Sequence, residues 1–430
     1  MRIYFHTSGC KVNAVESDSM AALLRQNGHE IIDAPAQAEV IVVNSCTVTA
    51  SGDSRMRTAL RRLRADAPEA LIVLTGCYVQ AFPAEAAKLP EAGILLGTRH
   101  RSLLPALLAD YAAHPERILS VEDYRKGDAF EELPQGTDPS HTRAFLKIQD
   151  GCDRFCTYCI IPYARGRCRS RSTQSIRQEA LRLYQAGFRE IVLCGINLAC
   201  WEDGEGTDLA DAAAVCAAAG FPRIRLGSLE PDGLTDHVLD KLAAIPGLCP
   251  HFHISVQSGC DRTLAAMHRH YTCAEFAALL HSLRERFPGA AITTDIMAGF
   301  PGETEEDFAA TCRFAEEMQF AQMHVFRYSQ RPGTPAATAP HQIPESVKKA
   351  RADALSASGR AMQAQFLRAC IGSTLSVLFE RERRQGFHQG HAPNYATVLV
   401  PDTDGADFRG SIRDVCITGI SGSRLLGELV

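Results

Sequence analysis

The chain has 430 residues, 46% hydrophobic and 22% charged, proportions that exclude a disordered or collagen-like polymer and, at about 150 residues per domain, imply two or three domains. Its 45 Lys and Arg stand against 50 Asp and Glu, a formal net charge of -5, so a nucleic-acid partner must be held by local basic patches and not by an overall positive field. Its 16 cysteines are too sparse for a disulfide scaffold yet more than packing requires, which points to metal ligation.

The N-terminal Met1-Arg-Ile-Tyr-Phe-His6 reads as a first strand and not as a signal peptide. No run approaches the roughly 18 apolar residues that span a bilayer, so the expectation is a cytoplasmic protein with reduced thiols and no membrane contact. Residues 1–112 alternate short apolar runs (3–5, 40–43, 71–74, 94–96) with amphipathic segments, the rhythm of a parallel-sheet α/β domain. A linker is expected over 113–137, where Gly127, Pro134 and Gly136 interrupt any period. Over 138–367 the alternation resumes with strands at 144–148, 190–195, 223–228, 251–256, 292–298 and 324–328. Six such units predict a partial (βα)6 barrel with its functional loops at the carboxyl ends of the strands. Helical spacing over 345–368 puts Val347, Leu355, Met362 and Phe366 on one side, and from 368 to 430 the composition changes to short strands (374–379, 395–400, 414–420, 425–430) with Gly-rich turns, a small β-barrel.

The segment richest in chemistry is Cys152-Asp-Arg-Phe-Cys156-Thr-Tyr-Cys159, three cysteines spaced C-x3-C-x2-C just after the strand at 144–148. One loop with that spacing can wrap one metal centre. A closed zinc site needs four protein ligands, for which Cys168 is available, whereas a cuboidal iron–sulfur cluster on three thiolates leaves one iron open to a chelating small molecule. Cys10, Cys46 and Cys77 are far apart in sequence, but each follows an apolar strand. Parallel strands end at one edge of their sheet, so these three thiols either meet there as a second three-ligand site or are unrelated small buried residues.

C-x3-C-x2-C on the first loop of a partial barrel resembles the radical S-adenosylmethionine superfamily. That resemblance implies that the cofactor's amino and carboxylate groups take the open iron and that its cleavage yields a deoxyadenosyl radical. Two three-cysteine sets on an α/β domain plus a partial barrel resemble one family in particular, the radical-SAM tRNA methylthiotransferases. The matching blocks are Thr7-Ser-Gly-Cys-Lys-Val-Asn13, Asn44-Ser-Cys-Thr-Val-Thr49, Thr75-Gly-Cys77, Cys152 through Arg167, Ser228-Leu-Glu-Pro231, His253-Ile-Ser-Val-Gln-Ser-Gly-Cys-Asp261 and Gly299-Phe-Pro-Gly-Glu-Thr304. Lys11-Val-Asn13 and Cys46-Thr-Val-Thr49 look most like the branch acting on N6-threonylcarbamoyladenosine at tRNA position 37. Arg327, where a proline is commoner, and Cys168 depart from the family's usual wording, and neither touches a proposed cluster ligand.

The resemblance implies an enzyme that transfers sulfur-containing groups, inserting sulfur and methyl at C2 of that adenosine. It implies two [4Fe-4S] clusters, one on Cys152, Cys156 and Cys159 and an auxiliary one on Cys10, Cys46 and Cys77. It further implies S-adenosylmethionine, tRNA, an electron donor, a sulfur donor and a TRAM-like RNA-binding barrel at the C-terminus. The alternatives are isopentenyladenosine in tRNA or a ribosomal-protein aspartate as substrate, and, from a different class, a non-catalytic RNA-binding protein stapled by zinc.

Candidates for holding S-adenosylmethionine are Gly195, Asn197, Ser228, Glu230, Ser255 and Gln257 at predicted strand ends, where Gly195 allows close backbone approach and the polar side chains suit an ammonium and ribose hydroxyls. Glu230 could equally cap a loop, and Ser255 could be a packed strand residue. Gly299-Phe-Pro-Gly302 reads as a turn opening a helix, with Glu303, Glu305 and Glu306 in its first turn. Arg165, Arg167, Arg169 and Arg171 are candidates for RNA phosphates, as are Arg55, Arg57, Arg61, Arg62 and Arg64 on a predicted helix, although a charge run is often a solvated face. The tail from 372 has six Arg and no Lys against seven Asp and Glu, an unexpected balance for an RNA-binding domain, so its contacts would rest on Arg381, Arg383, Arg384, Phe387 and Tyr395.

Overall fold

The computed structural model describes residues 1–136, 141–381, 386–402 and 405–430. The boundary read at 137/138 and the candidates Arg383 and Arg384 lie outside the described residues. The chain forms two compact units, one of Met1–Asp138, Lys147–Arg171 and Ser329–Thr338, the other of Pro139–Leu146, Ser172–Tyr328 and Ala339–Val430. The cysteine loop at 152–159 thus belongs to the same unit as the N-terminal sheet.

That sheet has six parallel strands in the order β2-β1-β3-β4-β5-β6: β1 Arg2–Thr7, β2 Glu30–Ile32, β3 Val40–Ser45, β4 Leu71–Gly76, β5 Ile94–Leu96 and β6 Ile118–Ser120. Helices α1 Lys11–Gln26, α2 Ala50–Asp66, α3 Cys77–Ala81, α4 Pro83–Ala86 and α5 Leu104–Ala113 connect them. Because side chains alternate across a strand, Ile41, Val43, Ile72 and Leu74 pack on Met56, Leu60 and Leu63 of α2. Val40, Val42 and Val73 face the other way, onto Met20 and Leu24 of α1 and Leu104 and Leu108 of α5. Strands buried on both faces need the near-continuous apolar runs by which they are legible. Strands β2 and β6 escape that reading because they are three-residue pieces at the two edges, largely half-buried.

The segment that carries the cysteine loop begins with β7 Ala144–Lys147, then β8 Gln149–Asp150, α6 Ile161–Arg165 and β9 Arg169–Ser170, with β8 and β9 paired antiparallel. The rest of the (βα) array comprises α7 Thr173–Gln185, β10 Glu190–Cys194, α8 Leu209–Ala218, β11 Arg223–Leu226, β12 Ser228–Leu229, α9 Asp236–Ala243, β13 His251–Ile254, α10 Asp261–Ala266, α11 Cys273–Arg286, β14 Ala291–Ala298, α12 Glu305–Met318 and β15 Gln322–Arg327. Its strands form two sheets, β11-β10-β7 and β12-β13-β14-β15, the predicted strand at 223–228 being interrupted at Gly227. Thr304 caps α12 in a capping box with Asp307. Glu303 therefore lies outside the first turn in which the sequence reading put it, and instead accepts the Gly299 N–H at 2.9 Å and Arg351 at 2.9 Å.

Helix α13 Glu345–Ala369 buries Leu355, Met362 and Leu367 together with Lys348 and Arg351. It leads into a closed barrel of β16 Thr374–Phe379, β17 Phe387–His391, β18 Thr397–Pro401, β19 Ile412–Ser421 and β20 Arg424–Leu429 in the order β16-β17-β18-β20-β19. Val377, Phe379, Val398, Val400, Val415, Ile417 and Leu425 fill its interior with Leu367. Strand β17, Phe-His-Gln-Gly-His, is too polar to show as a strand in the sequence. Among the described residues, no helix is long and apolar enough to cross a membrane.

Candidate functional site

Strands β1, β3 and β4 are neighbours, registered Thr7 to Asn44 and Ser45 to Gly76. Cys10 caps α1 just past β1, Cys46 follows β3 directly, and Cys77 opens α3 directly after β4. The sheet edge therefore gathers the three thiols, and the burial that raises the Cys46 and Cys77 pKa values is reinforced by the neighbouring cysteines. Gly76 has φ +101, and a Cβ there would fall 2.3 Å from the Ser45 carbonyl oxygen, so glycine alone permits the strand-to-helix step that places Cys77.

A buried amide frame holds this edge. Asn13 Nδ2 donates to the carbonyls of Ser8 and Ser45 at 3.0 and 3.1 Å, and Asn44 Nδ2 donates to Asn13 O at 2.9 Å and Ser17 Oγ at 3.1 Å. The thiols run from exposed (Cys10) through half-buried (Cys46) to buried (Cys77). Burial pushes the Cys77 thiol up to about 12, against the pull of Arg165.

Arg165 does not lie where the sequence reading put it. Its side chain is 0% exposed and cannot reach an RNA phosphate. Nε donates to Cys77 Sγ at 3.3 Å, Nη1 to Glu16 at 2.7 Å and Asp150 at 3.2 Å, and Nη2 to Asn13 Oδ1 at 2.8 Å and Glu16 at 3.0 Å. Arg101 and Lys147 also bind Glu16, at 2.9 and 2.6 Å. Burial opposes ionisation of Glu16, but its three cationic neighbours hold it ionised, down at about 2. Arg171 is 3% exposed, and Arg169 lies over the Tyr124 ring at 4.5 Å. Of the four arginines at 165, 167, 169 and 171, Arg167 alone is exposed. Short helix α6 turns Arg165 inward, which a linear charge run does not reveal.

The second thiol set sits on the loop from β8 to α6. Gly151, φ +75, enters it where a Cβ would lie 1.9 Å from the Arg167 carbonyl oxygen. The Cys152 N–H donates to Gly166 O at 3.0 Å and the Cys159 N–H to Cys156 O at 2.9 Å, and Phe155 between them is left-handed at φ 48. Cys156 is buried, and Cys152 and Cys159 are half-buried. Cys168 directs its thiol to Gly151 O, 3.9 Å away.

Among the described residues, no three His, Cys, Asp or Glu side chains close around a point as a single ion requires. Zinc at about 2.3 Å from each sulfur draws thiols to within about 4 Å of one another. A cuboidal cluster interposes its own irons and sulfides, so its cysteines stand wider apart. Three thiols on one sheet edge, and three on one loop, are donor sets that fit such a cluster.

In the other unit, Gly195 and Asn197 follow β10, and buried Asn197 donates to Cys200 Sγ at 2.9 Å. Ser228 is exposed, while Glu230 is held by Arg269, which also donates to Ser255 O at 3.1 Å. Ser255 Oγ donates to Asp295 at 2.8 Å, and His253 lies 3.2 Å from the same carboxylate oxygen. Burial works against ionisation of Asp295, but the His253 and Ser255 hydrogen bonds keep its pKa below the usual range. The Gln257 N–H donates to Asp295 O at 2.9 Å and its carbonyl accepts from Met297 at 2.8 Å, with Gln257 left-handed at φ 67. The structure thus joins Glu230, Ser255 and Gln257 through two residues that the sequence reading missed, Arg269 and Asp295, with His253 on the same Asp295 carboxylate. A charged residue inside the largely buried strand Ala-Ile-Thr-Thr-Asp-Ile-Met was the available signal.

Comparison with known proteins accounts for both regions. Residues 2–97 match the family described as "Uncharacterized protein family UPF0004", and residues 146–315 match the "Radical SAM superfamily". The chain is 37% identical over 426 residues to the threonylcarbamoyladenosine tRNA methylthiotransferase MtaB of Bacillus subtilis (strain 168), covering 96% of this chain and 93% of that protein. It is 34% identical over 442 residues to the tRNA-2-methylthio-N(6)-dimethylallyladenosine synthase of Orientia tsutsugamushi (strain Boryong), covering 99% and 98%. Its fold is similar to that of the radical S-adenosylmethionine methyltransferase TsrM from Kitasatospora setae, with TM-score 0.58 at 14% identity over 78% of this chain and 75% of that one.

Proposed function

Because the chain belongs to the radical-SAM tRNA methylthiotransferases, we propose that it converts N6-threonylcarbamoyladenosine next to the tRNA anticodon into its 2-methylthio derivative. The family's cofactors are S-adenosylmethionine and [4Fe-4S] clusters, which supply the one-electron chemistry needed to replace an unactivated C–H bond by C–S. The reading assigns one cluster to Cys152, Cys156 and Cys159 and the auxiliary one to Cys10, Cys46 and Cys77. What carries it is the occurrence of two separate three-thiol sets, one on a sheet edge and one on a loop, in a chain whose relatives are sulfur-group transferases.

In this reading the protein's own residues orient and shield. The Asn13–Asn44 frame fixes the sheet edge. The Ser255 hydroxyl spends its proton on Asp295 and leaves its oxygen to accept from the ammonium or a ribose hydroxyl of S-adenosylmethionine. Glu230, steadied by Arg269, accepts from a further hydroxyl, and Gly195, Asn197, Ser228 and Gln257 complete the candidate set. A tRNA substrate, an electron donor and a sulfur donor are the partners this reaction requires.

The threonylcarbamoyl branch is supported by the Bacillus subtilis relative and by Lys11-Val-Asn13 and Cys46-Thr-Val-Thr49. The Orientia relative, matched over 99% of the chain, favours a second reading in which dimethylallyladenosine is the substrate. Mass spectrometry of tRNA nucleosides from a deletion strain separates the two: loss of 2-methylthio-N6-threonylcarbamoyladenosine alone is expected, and loss of the dimethylallyl derivative instead sinks the proposal. Iron and sulfide assays on anaerobically reconstituted Cys10→Ala and Cys152→Ala should each show about half the wild-type content, as four-iron clusters require. Full content in both would remove the ligand assignment.

A further inference from the structure

The cage around Arg165 is electrically unbalanced. Arg101, Lys147, Arg165 and Arg169 bring four positive charges on side chains 2%, 11%, 0% and 8% exposed, and Glu16 and Asp150 answer with two negative ones. Surplus buried charge is strongly unfavourable unless a counter-charge is at hand. Arg165 shows where that counter-charge belongs. Its two terminal nitrogens are used on Glu16, Asp150 and Asn13, and the remaining N–H, on Nε, is aimed at Cys77 Sγ, 3.3 Å away. A metal-bound cysteine is a thiolate, so ligation of Cys77 would supply negative charge at the one point of the cage that a directed donor already addresses.

We propose that Arg165 is a positioning residue for the auxiliary cluster, its Nε–H bonding the Cys77 thiolate and raising the cluster's reduction potential. This rests on the reading of Cys10, Cys46 and Cys77 as cluster ligands. The direction follows from charge: reduction adds an electron that is shared by the cluster's sulfurs, so a hydrogen bond to one of them is stronger in the reduced state. Arg165 lies six residues past Cys159 on the same segment, so the stretch that bears one thiol set also furnishes the hydrogen bond of the other.

The test uses the full-length chain carrying Cys152→Ala, Cys156→Ala and Cys159→Ala, reconstituted anaerobically so that only the auxiliary site assembles a cluster. Into this background go Arg165→Lys, which keeps the charge but loses the Nε–H, and Arg101→Lys, which alters the same cage without touching sulfur. The midpoint potential, followed by the EPR signal of the reduced cluster, should fall for Arg165→Lys and stay at the parent value for Arg101→Lys. Equal potentials in all three chains, or the same fall in both variants, overturns the inference. Pulsed EPR on the parent background with 15N-arginine needs no arginine substitution: a 15N coupling to the reduced cluster is expected, and its absence also overturns the inference. A background that binds neither iron nor sulfide would bring down the ligand assignment itself, a result distinct from a cluster that is present with an unshifted potential.

Discussion

At the scale of single residues, the thiol sets depend on glycines whose necessity is steric. Gly151 shows this most directly, since an added methyl meets backbone, which cannot rotate away as a side chain could. Gly151→Ala adds a left-handed strain of about 1–3 kcal/mol to that collision. The expected result is a lower melting temperature and loss of about half the bound iron, with the half that depends on Cys10 retained. Iron retained in full at an unchanged melting temperature would refute the steric account. The sequence made the thiols legible because cysteine has few rival explanations at such spacing. It hid Arg165 because an arginine's role depends on which way its helix turns, and its partners Glu16, Asn13 and Cys77 lie 88 or more positions away.

At the scale of elements, the buried strands were readable from apolar runs, whereas what fastens them to the C-terminal barrel was not. Glu190 opens β10 with a side chain 0% exposed, accepts from Arg143 at 3.0 Å and from Arg225 of β11 at 2.8 Å, and is ion-paired with Arg223 of β11 at 2.9 Å. Those arginines continue into the barrel. Arg223 and Arg225 donate to the carbonyls of His391 and Pro393, and Arg143 pairs with Glu380. Tyr395, considered above for RNA stacking, is instead stacked on His391 at 4.8 Å and lies under Arg225 at 4.5 Å. Each partner comes from a different stretch of chain, so no local pattern announces the set.

Burial opposes ionisation of Glu190, but Arg225, Arg223 and Arg143 bring its pKa down to about 2. A carboxylate depressed on folding stabilises fully above its unfolded value of about 4.3, and this contribution fades as pH falls from there toward 2. Glu190→Gln leaves buried guanidiniums without their counter-ion, at a cost of about 3–5 kcal/mol near neutral pH. Urea midpoints measured at pH 7, 5 and 3 should therefore drop sharply at pH 7 for the variant and converge toward wild type at pH 3. Parallel curves across that range would show that Glu190 is not the titrating element.

At the scale of the whole molecule, a net charge of -5 means that tRNA must be gripped by particular cations, and the structure sorts those of α2 into two kinds. Arg64 is committed to the fold, donating to the carbonyls of Pro68, Ala70 and Glu91 at 2.7, 2.8 and 2.8 Å. Arg61 and Arg62 are exposed. Each phosphate contact releases condensed counter-ions, so removing one contact lowers the slope of log affinity against log salt by about 1. If α2 meets the tRNA backbone, Arg61→Ala with Arg62→Ala should weaken binding several-fold at low salt, reduce that slope by about 2 and leave the melting temperature unchanged. Arg64→Ala should do the reverse, lowering stability while leaving the slope alone. Filter binding over a salt series and a thermal melt on the same samples measure both. A wild-type slope in the double variant would make the Arg61–Arg62 face a merely solvated one, and the cationic contacts would then have to come from exposed arginines elsewhere, Arg167 first among them.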